Sequence, residues 1–153
     1  MTEEGTPGMT REMEMGLAQM EQIKAAVESM NMQRESLVAV IMDYNKAADV
    51  LKAMEDGTSD EVMLPIGGLV HVKASIDTKA LPIVDQGMGV MIEMEPGPAM
   101  KRVIERRTSV EVSIKAIEER ISDLMGRYEE ISGKTQQMYQ SQMGSGEGPE
   151  KTF

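Results

Sequence analysis

The chain has 153 residues with one Phe, three Tyr, no Trp and no Cys, and its formal net charge is −10. The length fits one domain, the few aromatic residues argue against a compact globular core, and the lack of Cys excludes a disulfide framework and Cys-ligated zinc. The negative charge argues against a nucleic-acid partner, and no apolar run is long enough to span a membrane.

The first nine residues are polar and contain Gly and Pro, so we expect them to be disordered. They lack the apolar stretch of a signal peptide, which makes the cytoplasm the expected compartment.

A long helix with a heptad pattern is predicted from about Thr10 to Met54, with Thr10 as its N-cap. Gly57 is expected to end it in the left-handed conformation. The apolar positions step by three and four residues, which is typical of a coiled-coil seam. The predicted seam positions are Met13, Gly16, Met20, Ile23, Val27, Met30, Arg34, Leu37, Ile41, Tyr44, Ala48 and Leu51.

The middle segment, about residues 61–95, changes to a period of two and predicts four short strands in two hairpins. Gly67 and Gly68 are expected to form the first turn. Two-stranded hairpins are marginal alone and leave open edges, so we expect them to close a shared sheet or β-barrel with other subunits. The residues predicted to form that oligomer interface, called the strand set below, are Val62, Leu64, Ile66, Val70, Val72, Ile76, Val90 and Ile92.

A second heptad helix is predicted from about Pro98 to Gln142, followed by a disordered tail over 143–153. Its seam positions are Met100, Val103, Arg107, Val110, Ile114, Ile117, Ile121, Leu124, Tyr128, Ile131, Thr135 and Met138. The fold class is therefore mainly α: one domain in which a long antiparallel coiled-coil hairpin carries two inserted β-hairpins. Arg34 and Arg107 occupy seam positions, where their stems either cover the seam or set its register.

The middle segment resembles the α-type subunit of prefoldin, a co-chaperone family. The resemblance rests on the run Leu64-Pro65-Ile66-Gly67-Gly68, on Val72-Lys73-Ala74, and on Gly87-Met88-Gly89-Val90-Met91-Ile92-Glu93. Four strands match an α-type subunit, because β-type subunits have a single hairpin. The resemblance covers about residues 10–140.

The resemblance implies a hexamer of two α-type and four β-type subunits, joined by a β-barrel from which the coiled coils project. It implies an ATP-independent holdase that binds non-native proteins at the coiled-coil tips and delivers them to a group II chaperonin. It implies no cofactor and no enzymatic activity.

In an antiparallel hairpin the start of the first helix lies beside the end of the second. This places the predicted client-binding tip at about residues 9–24 and 128–143. Gly16 is expected to loosen the seam there and expose apolar side chains. The residues predicted to bind clients, called the tip set below, are Met9, Met13, Met15, Leu17, Met20, Met138, Tyr139 and Met143. Met13, Met20 and Met138 have the alternative role of filling the seam.

Two other function classes remain open. One is a coiled-coil adaptor or scaffold that docks a single defined partner. The other is a redox or metal-handling protein, in which Met9, Met13 and Met15 would bind Cu(I). His71 has no second His or Cys to complete a metal site. No nucleophile–base pair or nucleotide-binding fingerprint is present, so we expect no enzyme.

Overall fold

The structure is a computed structural model that describes residues 9–57 and 60–144. Two small antiparallel hairpins lie between two long helices in the sequence, which confirms the predicted fold class. The elements in chain order are α1 (Arg11–Asp56), β1 (Glu61–Gly67), β2 (Val70–Ser75), β3 (Ile83–Gly87), β4 (Val90–Glu93) and α2 (Pro96–Gly144). Within the described ranges, neither helix is apolar enough over a sufficient length to cross a membrane.

The first helix begins and ends where its capping residues predict. The hydroxyl of Thr10 accepts a hydrogen bond from the backbone N–H of Met13 at 3.3 Å, and its carbonyl accepts one from Glu14 at 3.1 Å. The hydroxyl thus satisfies one of the N–H groups that have no partner within the helix, and the carbonyl accepts the first bond of the helix. At the other end Gly57 has a φ of 61°, the left-handed conformation that terminates many helices.

The second helix is longer than predicted at both ends. It begins at Pro96 rather than Pro98, because the N–H of Ala99 already donates to the carbonyl of Glu95 at 3.0 Å. It continues to Gly144, so Met143, which was predicted to lie in a disordered tail, is helical. The remaining residues predicted to be disordered, 1–8 and 145–153, lie outside the described ranges.

The chain groups into two compact units, which are described separately. Of the described residues, unit 1 contains 9–35 and 115–144, and unit 2 contains 36–57 and 60–114. In unit 1, Lys24 Nζ lies 5.6 Å from the ring centroid of Tyr128, and Arg34 pairs with Glu118 at 3.8 Å. The contact that lies farther along α1 involves the lower residue number in α2, so the two helices pack antiparallel within this unit.

The predicted seam positions of unit 1 are all buried or half-buried. Met13 is the most enclosed side chain among them, with 3% of its surface exposed. The heptad pattern therefore predicted the packing face of this unit correctly. No large side chain in the described chain is fully buried, because two helices bury only a narrow stripe between them.

In unit 2 the predicted seam positions are half-buried, except Leu51, which is buried. Arg107 donates from its guanidinium to Asn45 Oδ1 at 2.9 Å. Ala99, which the heptad pattern did not select, is fully buried in the first turn of α2. A Cβ added to Gly97 would lie 3.5 Å from a carboxylate oxygen of Glu55, so the helix ends approach closely here.

The two hairpins, both in unit 2, repeat one backbone plan at a spacing of twenty residues. Leu64 pairs with Val72 in the first hairpin, and Val84 pairs with Ile92 in the second. Each hairpin then has a one-residue bulge before the turn, at Ile66 and at Gln86. The sequence predicted the four strands but neither bulge, because an extra residue leaves the apolar alternation on either side intact.

The third strand begins at Ile83, whereas the sequence predicted a strand over residues 81–84. Its far end is fixed by Asp85, whose carboxylate accepts a hydrogen bond from the N–H of Gly87 at 2.7 Å. Pro82 precedes the strand and still accepts from the N–H of Met94 at 3.1 Å. Its missing N–H is therefore not needed for pairing.

Each turn has two central residues in the left-handed region. They are Gly68 and Leu69 in the first hairpin, so the predicted Gly67–Gly68 turn is displaced by one residue. In the second hairpin they are Met88 and Gly89. This is the type I′ geometry that suits the twist of a hairpin. Leu69 and Met88 hold it without the freedom of glycine, and their side chains are fully exposed.

Candidate functional site

The tip set divides into two groups in unit 1. Met13 is buried and both Met20 and Met138 are half-buried, which matches their alternative role in the seam. The other five members have side chains exposed to solvent: Met9, Met15, Leu17, Tyr139 and Met143. This second group is the apolar surface available for a partner at this end of the helix pair.

Gly16 does not loosen the seam, and that prediction was wrong. Gly16 is buried, and a Cβ at this position would lie 2.6 Å from Thr135 Oγ1 and 3.6 Å from a methyl of Ile131. The missing side chain lets the helices approach closely, so the glycine tightens the packing. The exposed tip residues owe their exposure to positions outside the seam.

A groove that the sequence did not predict runs beside the seam in unit 1, and we call it the lateral groove. It has a volume of about 360 Å³ and is largely apolar. Tyr128 forms part of its wall, with Lys24 over the ring at a distance typical of a cation–π contact. Its lining residues are Ile23, Lys24, Val27, Glu28, Asn31, Met32, Met125 and Tyr128.

Heptad spacing places two exposed tip residues on the same side as this groove. Leu17 is seven residues before Lys24, and Tyr139 is fourteen residues after Met125. Residues at heptad intervals share a face, so Leu17, with 45% of its surface exposed, and Tyr139, with 54%, lie on the same side of the helix pair as the groove. The heptad positions next to the seam, which include Leu17 and Lys24 in α1 and Met125 and Tyr139 in α2, were the signal in the sequence that could have revealed the groove.

Unit 1 has a second depression, whose lining residues are mostly polar. They are Thr10, Glu12, Lys134, Gln137, Met138, Ser141 and Gln142. Lys134 donates to the Glu130 carboxylate at 2.6 Å, and this hydrogen bond and charge hold the pKa of Glu130 below its ordinary value. This depression therefore offers hydrogen-bonding groups that the lateral groove has mainly at Lys24, Glu28 and Asn31.

The strand set lies largely on one face of each hairpin. Val62, Leu64 and Val72 fall on one face of the first hairpin by strand alternation and pairing, and Val90 and Ile92 share a face of the second. Most of these side chains are exposed, because a two-stranded sheet has no second layer to cover them. Ile66 lies in the bulge, and Ile76 lies one residue beyond β2, where its N–H donates to Asp60 at 2.6 Å.

The two seam arginines have different partners. Arg34 forms the ion pair with Glu118, and Arg107 forms the hydrogen bond to Asn45 and lies 3.7 Å from Glu111. The head groups remain partly exposed in both cases, as expected for a stem that covers the seam. Both contacts also tie one helix to the other, which suits the register-setting alternative.

Metal ligands are dispersed over the described ranges. No group of three or more His, Asp or Glu lies close enough there to hold an ion. His71 is exposed on β2. Met13 is buried in the seam while Met9 and Met15 are exposed, so these three thioethers do not present one shared face.

The chain is similar in sequence and in fold to known proteins. The family model described as prefoldin subunit matches residues 23–141, well over half of the chain. Prefoldin subunits are non-enzymatic chaperone components. The match spans the second half of the tip region, the lateral groove, both hairpins and nearly all of α2.

Several curated relatives are α subunits. The chain is 21% identical to the prefoldin subunit alpha of Nitrosopumilus maritimus over 87% of this chain and 92% of that protein. It is 25% identical to that of Methanoculleus marisnigri, over 78% and 83%. A filamentous PFD from Methanocaldococcus jannaschii, solved by cryo-EM, has the same fold with a TM-score of 0.58 and 20% identity, over 74% of this chain and 94% of that one. The chain belongs to the prefoldin family, as an α-type subunit.

Proposed function

We propose that this chain is the α-type subunit of an ATP-independent holdase that binds non-native proteins through exposed apolar residues of unit 1. The observation that supports this most is the largely apolar lateral groove of that unit, together with the exposed side chains of Leu17 and Tyr139. Burial of apolar surface there is worth about 25 cal/mol per Å² and requires no particular sequence in the client. Membership of a chaperone family supports the same role.

We propose that the strand set holds the subunit in a hetero-oligomer with β-type prefoldin subunits, two α with four β. Its support is the uncovered apolar face of each hairpin and the open edges of two-stranded sheets. The complex would act in the cytoplasm and pass clients to a group II chaperonin, with no cofactor. These partners are proposals that rest on the family.

Client binding is tested by suppression of aggregation of a chemically unfolded protein. The test variant replaces Met15, Leu17 and Tyr139 by Ser, and the control replaces the exposed Met42, Val50 and Val112 of unit 2 by Ser. Both variants are assembled with a β-type subunit before the assay. We expect the first to lose protection and the second to keep it. Equal protection by the two variants would show that these tip residues are not needed for client binding.

Assembly is tested by native mass spectrometry of the chain co-expressed with a β-type subunit. The wild type should give a complex of two copies with four partners. Val72→Asp and Ile92→Asp should each abolish it, because a carboxylate cannot be buried without a partner. Lys73→Gln, a neighbouring change on the other face of β2, is the control. A full complex with either Asp variant would contradict the proposed interface.

The alternative function is an adaptor that docks one defined partner. The exposed charged groups of Lys134 and Glu130 would suit such selective contacts. Single substitutions at the tip should then abolish binding, whereas a holdase should tolerate an exchange of Leu17 with Tyr139. Equilibrium binding of these variants to the same partner distinguishes the two functions.

A further inference from the structure

The exposed apolar surface of unit 1 consists mostly of methionine. Among the described residues of this unit, five of the seven exposed large apolar side chains are methionines, and the other two are Leu17 and Tyr139. Two of the five line the lateral groove, one from each helix, and three belong to the tip set. The five, called the methionine set below, are Met9, Met15, Met32, Met125 and Met143.

Unit 2 has a different exposed surface. Eighteen large apolar side chains are exposed in its described residues, and four of them are methionines: Met42, Met63, Met88 and Met91. The strand set consists of Val, Leu and Ile alone. A reagent that acts on thioethers would therefore change the apolar surface of unit 1 and leave the proposed oligomer interface almost unaltered.

The methionines of the seam are shielded from such a reagent. Met13 has only 3% of its surface exposed, and Met20, Met30 and Met138 are half-buried. An oxidant in solution reaches the exposed thioethers first. A limited dose would therefore oxidise the methionine set while the seam keeps its apolar side chains and the helix pair keeps its packing.

We propose that the methionine set is an oxidation site, at which hydrogen peroxide converts the apolar surface of unit 1 into a polar one that no longer holds clients. One oxygen atom passes from the peroxide to each sulfur, which is oxidised by two electrons, and the peroxide is reduced to water. The resulting sulfoxide is polar, so an apolar client side chain that covers it leaves its oxygen without a donor. The effect on clients rests on the proposed function, whereas the pattern of oxidation does not.

The pattern of oxidation is measured first. The full chain is treated with a limited dose of peroxide, the reaction is stopped with catalase, and the sulfoxides are located by peptide mass spectrometry. Met13 and Met15 share the tryptic peptide 12–24, so both receive the same dose, and Met30 and Met32 form a second such pair. We expect Met15 to oxidise on the order of tenfold faster than Met13, with an unchanged circular dichroism spectrum. Equal rates, or a loss of helix at this dose, would overturn the proposal.

The effect on clients is measured with the oxidised chain after assembly with an untreated β-type subunit, whose own methionines are then intact. The probe is a fluorescently labelled, permanently unfolded protein with reduced and carboxymethylated cysteines. Oxidation should weaken its binding to the wild type on the order of tenfold. A variant with the methionine set replaced by Leu should keep its affinity, since leucine has a similar volume and no sulfur. The control replaces Met42, Met63, Met88 and Met91 by Leu and should lose affinity as the wild type does.

The outcomes separate the oxidation site from the holdase. An equal loss of affinity in the variant that lacks the methionine set would overturn the proposal, and so would native mass spectra in which the oxidised wild type no longer assembles. No binding by the untreated complex would refute the holdase and leave the pattern of oxidation standing. Unchanged affinity of the oxidised wild type would refute the effect on clients alone.

Discussion

Gly16 and Thr135 face each other across the seam so closely that a Cβ on Gly16 would lie 2.6 Å from the Thr135 hydroxyl oxygen. That oxygen donates to the carbonyl of Ile131 at 2.8 Å, which fixes its rotamer. A β-branched side chain held by a hydrogen bond cannot easily yield, so the two residues set the local distance between α1 and α2.

Gly16→Ala should therefore destabilise the helix pair, although alanine is the better helix former by about 1 kcal/mol. Overpacking typically costs about 1–3 kcal/mol and should outweigh that gain. Thermal unfolding followed by circular dichroism measures the change. Removal of the obstructing hydroxyl in Gly16→Ala/Thr135→Ala should restore or exceed wild-type stability.

Gly133→Ala is the matched control, since nothing lies within 4 Å of a Cβ at that position. It should raise stability by up to about 1 kcal/mol. Destabilisation by Gly133→Ala, or a neutral Gly16→Ala, would contradict the close approach.

Arg107→Leu should stabilise the helix pair by about 1 kcal/mol, because a leucine continues the apolar seam where a part-exposed guanidinium now ends it. Arg106→Leu, at an exposed neighbouring position, should have little effect. Chemical unfolding gives both values. A second set of backbone NMR resonances in Arg107→Leu would instead show that the contact with Asn45 sets the register.

The second hairpin turn should respond in opposite directions to two adjacent changes. Met88 has a φ of 55°, a conformation that costs a residue with a side chain about 1–2 kcal/mol, so Met88→Gly should stabilise the hairpin. Gly89 has a φ of 78°, so Gly89→Ala should destabilise it. Hydrogen exchange of the β3–β4 amides reports both, and equal exchange in the two variants would refute the assigned turn.

Lys134→Met should raise the pKa of Glu130 toward its ordinary value, because it removes the hydrogen bond and positive charge that lower it. The sign for stability follows from the lowered pKa in the folded state. The contribution is present at pH values above the ordinary pKa of a glutamate and is lost as the pH falls through the lowered one. Carboxyl ¹³C NMR titration of Glu130 in both chains measures the shift, and identical titration curves would exclude the ion pair in solution.

The seam could be predicted from the sequence because it depends on spacing alone. Met13 and Thr135, for example, were assigned to it by steps of three and four residues, and the structure buries or half-buries both. The effect of Gly16 could not be predicted, since one heptad series does not say what faces it. Only the partner Thr135 shows whether a missing side chain leaves a gap or permits contact.

The lateral groove escaped prediction for a related reason. A heptad pattern identifies the seam but does not say which flank is apolar until the two helices are aligned. Met125 and Lys24 line one groove because the antiparallel packing brings Lys24 over Tyr128. The roles of the tip set and the strand set in binding remain predictions, to be decided by the experiments above.

The twenty-residue repetition of the hairpins concerns the number of neighbouring subunits that one chain could bind. The equivalent positions Lys73 and Glu93 carry opposite charges on otherwise matching backbones. One chain thus repeats the same hairpin backbone with different charges. If both hairpins bind neighbours as proposed, they would offer the same backbone to them, and the charges of Lys73 in the first and of Asp85 and Glu93 in the second would distinguish the two.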